Sequence, residues 1–211
     1  MRIIIPRLLF LDDDLKKSSQ YLTQFHLEHM IRNSCQILMC CLYYILGFRS
    51  KNRFKYYFSK DRWDETRFKY IPNYPFKNIP KYTFYTSEES KWCRKCSNHY
   101  RYILKYLGFM LEEFAWRNGK EHELSEMHPF LHSAPMEIAV RFGIVLPKLK
   151  DKTKMQLPWK NIPLKFRKKD IIAGYRAYYK DIIGNLLFAF IGTKRDVPEF
   201  LYENDVLSET V

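Results

Sequence analysis

The sequence has no apolar run reaching the roughly 18 residues a transmembrane helix needs, so transmembrane insertion is not expected. Its five cysteines, at positions 35, 40, 41, 93 and 96, are odd in number, include an adjacent pair and follow no regular spacing. That pattern argues against a disulfide framework and for a reducing, cytoplasmic setting. No P-loop, GxGxxG, HExxH or nucleophile elbow is present, so the common NTPase, dehydrogenase, zincin and serine-hydrolase readings lack motif support. Acidic side chains are the scarcer sign, 23 against 36 basic ones. The resulting formal charge of +13 disfavours a cationic partner and favours phosphate: nucleic acid, nucleotide or an anionic surface.

The excess is concentrated. Residues 49–105 hold 15 basic and five acidic side chains, and residues 148–180 hold 11 and two. Residues 1–48 are close to neutral, while 106–147 and 181–211 are acidic. Both basic segments interleave aromatics with the charge. Arg53-Phe54-Lys55-Tyr56-Tyr57-Phe58 and Arg67-Phe68-Lys69-Tyr70 lie in the first, and Lys165-Phe166-Arg167-Lys168-Lys169 in the second. Cations release counterions from phosphates and aromatic faces stack on unpaired bases, so a surface neutralising six phosphates implies a salt slope of roughly −5 on duplex DNA. The same alternation also describes an amphipathic segment with one solvated face.

At 211 residues, 46% hydrophobic and 17% aromatic, the chain supports a substantial core, which excludes intrinsic disorder. The pattern predicts a mainly α single domain over 1–211, with a short N-terminal strand or extended arm at residues 1–10. One long helix is predicted over 15–46, capped by Asp13 or Asp14 and stopped at Gly47; a second runs from Ser87 to Asn118, stopped by Gly119. A shorter helix is predicted within 126–147 and a last one from Asp170 to Tyr179, resuming toward Phe190. Residues 49–86 form a basic, proline-broken excursion and 147–168 a basic connector.

Several groups of residues could carry chemistry. Cys93-x-x-Cys96 with His99 resembles three zinc ligands but lacks a fourth, so buried core thiols are the simpler reading and no metal or other cofactor is expected. His26 lies on the apolar stripe of the first helix, with His29, Asn33 and Gln36 completing a polar seam. Glu113 and Arg117 form an i, i+4 pair, with Lys120 and His122 beyond it. On a surface such a pair contributes only a few tenths of a kcal/mol; as a site it offers a carboxylate beside cations. Tyr175-Arg176 and Lys194-Arg195 form a further aromatic–cation group suited to phosphate and base contacts.

Taken in order, Leu11-Asp12-Asp13-Asp14, Ser18-Ser19-Gln20-Tyr21, His26, Met30, Gln36 and Leu38 resemble the start of a widespread family of small bacteriophage proteins. The resemblance continues through Trp92, Ser97-Asn98-His99-Tyr100, Glu112-Glu113-Phe114, Arg117, Gly119-Lys120 and His122. It closes with Asp170, Tyr175-Arg176, Tyr178-Tyr179, Lys194-Arg195 and Pro198-Glu199-Phe200, and leaves out 49–86 and 126–165. It implies a viral accessory of DNA metabolism in the host cytoplasm, acting on bases by excision or modification. Such chemistry extrudes a base into an aromatic-lined pocket.

On that reading His26, Glu113 and Lys120 are the candidate catalytic residues, Lys120 as an amine nucleophile, and Gln36, Asp12 and Asp14 line the pocket. Asn98, Tyr100, Arg117, Tyr175, Arg176, Lys194, Arg195, Arg53, Lys55, Lys168 and Lys169 contact the nucleic acid or nucleotide. The departures bear on activity: Gln24-Phe25 stand where the family has Asp-Lys, His29 where it has Lys, and Asn33 where it has Glu. A missing amine or carboxylate cannot be replaced as nucleophile or base by an amide. Either the seam serves recognition or its chemistry has been lost or rewired, and the alternative is a non-enzymatic accessory that binds a host protein or nucleotide signal.

Overall fold

A computed structural model of the chain describes residues 6–46, 85–145, 157–158, 162–184, 190 and 193–202. Its described elements are α1 (Leu15–Gln20), α2 (Gln24–Ile45), α3 (Glu88–Cys93), α4 (Ser97–Asn118), α5 (Met127–Phe142) and α6 (Ile171–Ile183), with 3-10 turns at Leu164–Phe166 and Glu199–Leu201. The mainly helical class is as predicted. Residues 49–84 of the 49–86 excursion, Arg53 and Lys55 among them, lie outside the described residues.

The N-terminal strand is corrected. Residues 8–11 are fully buried but pair with no strand among the described residues, and residues 1–5 lie outside them. Side chains engage part of the arm's backbone instead. Leu11 N–H donates to Ser18 Oγ (2.9 Å), Tyr106 Oη donates to the Leu9 carbonyl (2.8 Å), and Arg176 Nε donates to the Leu11 carbonyl (2.6 Å). Asn33 Nδ2 donates to the Arg7 carbonyl at 3.0 Å.

The single helix predicted for 15–46 is two. Asp14 caps α1, its Oδ1 accepting from Lys16 N (2.8 Å) and Lys17 N (3.3 Å). The chain breaks at residues 21–23 because Thr23 is a second cap: its Oγ1 accepts from His26 N at 3.3 Å, a local bond that competes with continued helix. The helix predicted from Ser87 is likewise divided. Ser87 caps α3 as predicted, accepting from Ser90 N at 3.2 Å. Residues 94–96 then interrupt it, and the Trp92 and His99 rings stack across the break at 3.9 Å. Gly119, in the left-handed region at φ 66°, stops α4 where the sequence predicts. Helix α5 includes Pro135 and stops at Gly143 rather than at Pro147. Helix α6 is capped by Asp170 and continues four residues past Tyr179.

The two 22-residue helices α2 and α4, each about 33 Å long at 1.5 Å per residue, form the body of the fold. Gln24 at the start of α2 meets Asn118 at the end of α4, and Arg94, just before α4, covers Tyr44 near the end of α2. The pair is therefore antiparallel. Helix α5 docks on α4 through Tyr100 Oη, which donates to the Leu131 carbonyl (2.7 Å). Helix α6 docks on the arm through Tyr175, edge-on to Phe10 at 5.6 Å. All five cysteines are free and buried. Among the described residues no group of three His, Cys, Asp or Glu is placed to hold a metal, and no helix is long and apolar enough to cross a membrane.

Candidate functional site

The residues carrying the resemblance do not gather in one place. Several of them meet where α2 begins and α4 ends, around residues 21–23. Glu113 is the centre. Its Oε1 accepts from Arg117 Nε (2.7 Å) and Arg195 Nε (2.9 Å), and its Oε2 from Arg195 Nη2 (2.7 Å). Burial pushes the carboxyl up, but the hydrogen bonds from Arg195 and Arg117 outweigh it and hold Glu113 below the usual carboxylate range. Arg117 is buried as well, and its remaining nitrogens donate to the Leu22 (2.8 Å) and Gln20 (3.0 Å) carbonyls. It ties the α1–α2 break to α4. Arg195, half-buried, lies 4.0 Å over the Trp116 ring.

Asp12 and Arg176 form the second pair. Arg176 Nη2 donates to Asp12 Oδ2 (2.8 Å), and its guanidinium lies 5.1 Å from the Phe200 ring, which in turn packs edge-on to Tyr21 at 5.6 Å. Asp12 Oδ1 accepts from Asp14 N at 3.0 Å, so Asp12 and Asp14 both shape the turn into α1. Tyr175 is buried and donates its hydroxyl to the Pro158 carbonyl.

His26 completes the end of the bundle. Its Nδ1 lies 2.7 Å from Thr23 Oγ1, and its ring is edge-on to Tyr179 at 5.1 Å. Tyr179 Oη accepts from Thr23 N at 2.8 Å. His26 Nε2 is buried with no hydrogen-bond partner. Burial, then the neighbouring His29, lowers its pKa to about 4, so the ring is neutral at physiological pH. Phe25, 62% exposed, stacks parallel to His29 at 6.1 Å.

Asn98, Tyr100 and Gln36 of the predicted site lie elsewhere. Asn98 and Tyr100 sit in the first turn of α4, and Asn98 is about 22 Å along the helix from Glu113. Tyr100 is a core residue whose hydroxyl is bonded to α5, while Asn98 is exposed. Gln36 is about 15 Å along α2 from His26, and its Oε1 is buried without a partner. Asn33, which stands where the resemblance has a carboxylate, holds the arm through a donor that a carboxylate lacks. Lys120 is exposed just beyond α4.

The second basic segment is described at residues 157–158 and from residue 162 onward. The turn at Leu164–Phe166 lies directly on α6, and a Cβ at Gly174 would come 2.8 Å from the Phe166 carbonyl oxygen. Gly174 therefore permits the contact. Arg167 Nε donates to the Ile162 carbonyl (2.9 Å), and Phe166 packs on Tyr178 at 5.3 Å. Lys165, Lys168 and Lys169 remain exposed on this braced turn.

Three features lie beyond the reach of the sequence patterns. Trp116 is 48% exposed beneath Arg195, an arrangement that depends on a contact between α4 and residues far along the chain. Gly174 reads in sequence as a helix-weakening glycine. Glu89 reads as a first-turn acid but is 1% exposed, with Oε2 unpartnered; burial raises its pKa against opposing contributions from its own backbone and from Arg7 and Ser87. No protein-family model matches the chain, and neither a curated protein nor a solved structure does.

Proposed function

We propose that the chain is a DNA- or nucleotide-binding protein of the kind bacteriophages encode, acting on bases by excision or modification. The observation that carries this reading is the braced basic turn. Lys165, Lys168 and Lys169 project from a segment held on α6 through Gly174, so their charges sit on a rigid support in the second basic segment. Phosphate contacts of this kind position a strand without reading its sequence. The resemblance to the phage family supports the base-directed part of the proposal. In excision, the exposed Lys120 amine is the nucleophile.

One observation favours the alternative of a non-enzymatic accessory. Both oxygens of Glu113 are engaged by arginines, and a carboxylate held in that way is a poor proton acceptor. That accessory binds a host protein or nucleotide signal and has no turnover. The test is a salt titration of duplex and single-stranded DNA binding with wild type and a K165A/K168A/K169A variant, followed by a search for released or altered bases. Loss of three phosphate contacts makes the duplex salt slope shallower by about 2 to 3. Absence of affinity for either form at low salt overturns the proposal; binding without base chemistry selects the accessory.

A further inference from the structure

Trp116 is a large aromatic left 48% exposed at the end of α4, and three features fix the cations around it. Arg195 lies over the ring at 4.0 Å, and its Nε and Nη2 are anchored to Glu113, so the guanidinium is held against the indole before any ligand arrives. Lys194 lies 5.9 Å from the ring centroid, and its Nζ is 3.4 Å from the Trp116 carbonyl oxygen. Lys194 is also the one non-glycine residue with positive φ among the described residues, at 57°. Such a conformation is disfavoured for lysine and persists where the surroundings impose it. Here Thr193 imposes it: its Oγ1 donates to the Phe190 carbonyl (2.8 Å) and accepts from Arg195 N (3.3 Å).

We infer that Trp116, backed by Arg195 and flanked by Lys194, is a stacking platform for an unpaired nucleobase, with the adjoining phosphate on Lys194. Indole faces take any base, because every base has a π-face. A cation on the ring suits a ligand that is aromatic and anionic together, as a nucleotide is. Two arginines around one carboxylate leave a net positive charge, to which Lys194 adds. Asp196 and Glu199 follow closely, so phosphate attraction here is modest and stacking dominates. The platform rests on the nucleic-acid reading above and specifies its preference: single-stranded or extruded bases over intact duplex.

The experiment measures binding of a thymidine oligonucleotide and of a duplex by wild type, W116F, W116A and K194G at several salt concentrations. Stacking on one base predicts that W116A weakens oligonucleotide binding about 5- to 150-fold, with its salt slope unchanged. W116F keeps most of the affinity. K194G, in which glycine suits the left-handed backbone, retains the unfolding midpoint and makes the single-strand slope shallower by about 0.7. Equal oligonucleotide binding by wild type, W116A and K194G overturns the platform and leaves the proposed function standing. Wild type that binds neither DNA form overturns both.

Discussion

Glu113 and Arg117 are joined at 2.7 Å inside the protein, with the arginine side chain 1% exposed and the glutamate 4%. Their i, i+4 spacing is that of a surface helix pair, but Arg195 closes over the carboxylate and the Gln20 and Leu22 carbonyls close over the guanidinium. The pair therefore joins three separated parts of the chain. Removing Arg117 strands two carbonyls and leaves the buried Glu113 carboxylate to Arg195 alone.

R117A is expected to destabilise the fold by about 3–5 kcal/mol, read as a lower midpoint in urea at unchanged slope. E113Q is expected to destabilise too, because an amide cannot accept from both arginines as the carboxylate does. Glu113 is also held below the usual carboxylate range, so its contribution is complete at neutral pH and is lost as pH falls through the lowered folded value. An R117A midpoint equal to wild type would place the pair on the surface after all.

His26 predicts a second acid effect of separate origin. The unfolded chain binds a proton near 6.5, whereas the folded ring stays neutral until about 4. Stability from this residue is thus full above pH 6.5 and declines by about 3 kcal/mol between there and pH 4, because protonation favours the unfolded chain. Comparing wild type with H26Q across pH 7 to 4 isolates the effect. A constant difference between them would show that the ring is solvated.

At the arm, a relay runs from Leu11 N–H to Ser18 Oγ, from the Ser18 hydroxyl to Tyr106 Oη (3.1 Å), and from Tyr106 to the Leu9 carbonyl. Y106F and S18A each leave buried groups unpaired and are expected to cost about 1–3 kcal/mol. Combined, they cost less than the sum, since both break one relay. Additive losses in a double-mutant cycle would mean two independent contacts.

G174A is expected to lift the turn at Leu164–Phe166 off α6. A new methyl 2.8 Å from a backbone oxygen cannot be accommodated by side-chain motion, and overpacking of this kind costs about 1–3 kcal/mol. Under the proposed function, DNA affinity falls as well, since Lys165, Lys168 and Lys169 lose their support. Retention of both stability and affinity would separate the turn from the binding surface.

Caps and stops are local, and Asp14, Ser87, Gly119 and Asp170 are legible in the sequence because each acts on its own neighbours. The breaks at residues 21–23 and 94–96 are not. Apolar periodicity runs through both, and contacts beyond the helix add to the local cap at Thr23: Tyr179 accepts from Thr23 N in one case, and Arg94 donates to the Tyr85 carbonyl and covers the Tyr44 ring in the other. The arm shows a similar limit. Apolar runs at the start of a chain suit a strand, yet residues 8–11 find side-chain partners from α1, α4 and α6 in place of a sheet.

The site divides along the same line. His26, Glu113, Arg117, Arg176, Lys194 and Arg195 are identifiable from residue type and order, and Asp12 with them. Their convergence, and the separation of Asn98, Tyr100 and Gln36 from it, follow from the antiparallel packing of α2 and α4, which brings one helix's start to the other's end. The sequence by itself determined a helical class, an uneven positive charge and local signals such as the Asp14 and Ser87 caps and the Gly119 stop, because these depend on composition and nearest neighbours. Only the tertiary structure decided that Glu113 is a buried clamp, that Gly174 braces a basic turn and that Trp116 lies beneath Arg195. Those roles arise where segments distant in the chain exclude water from one another and fix the charges between them.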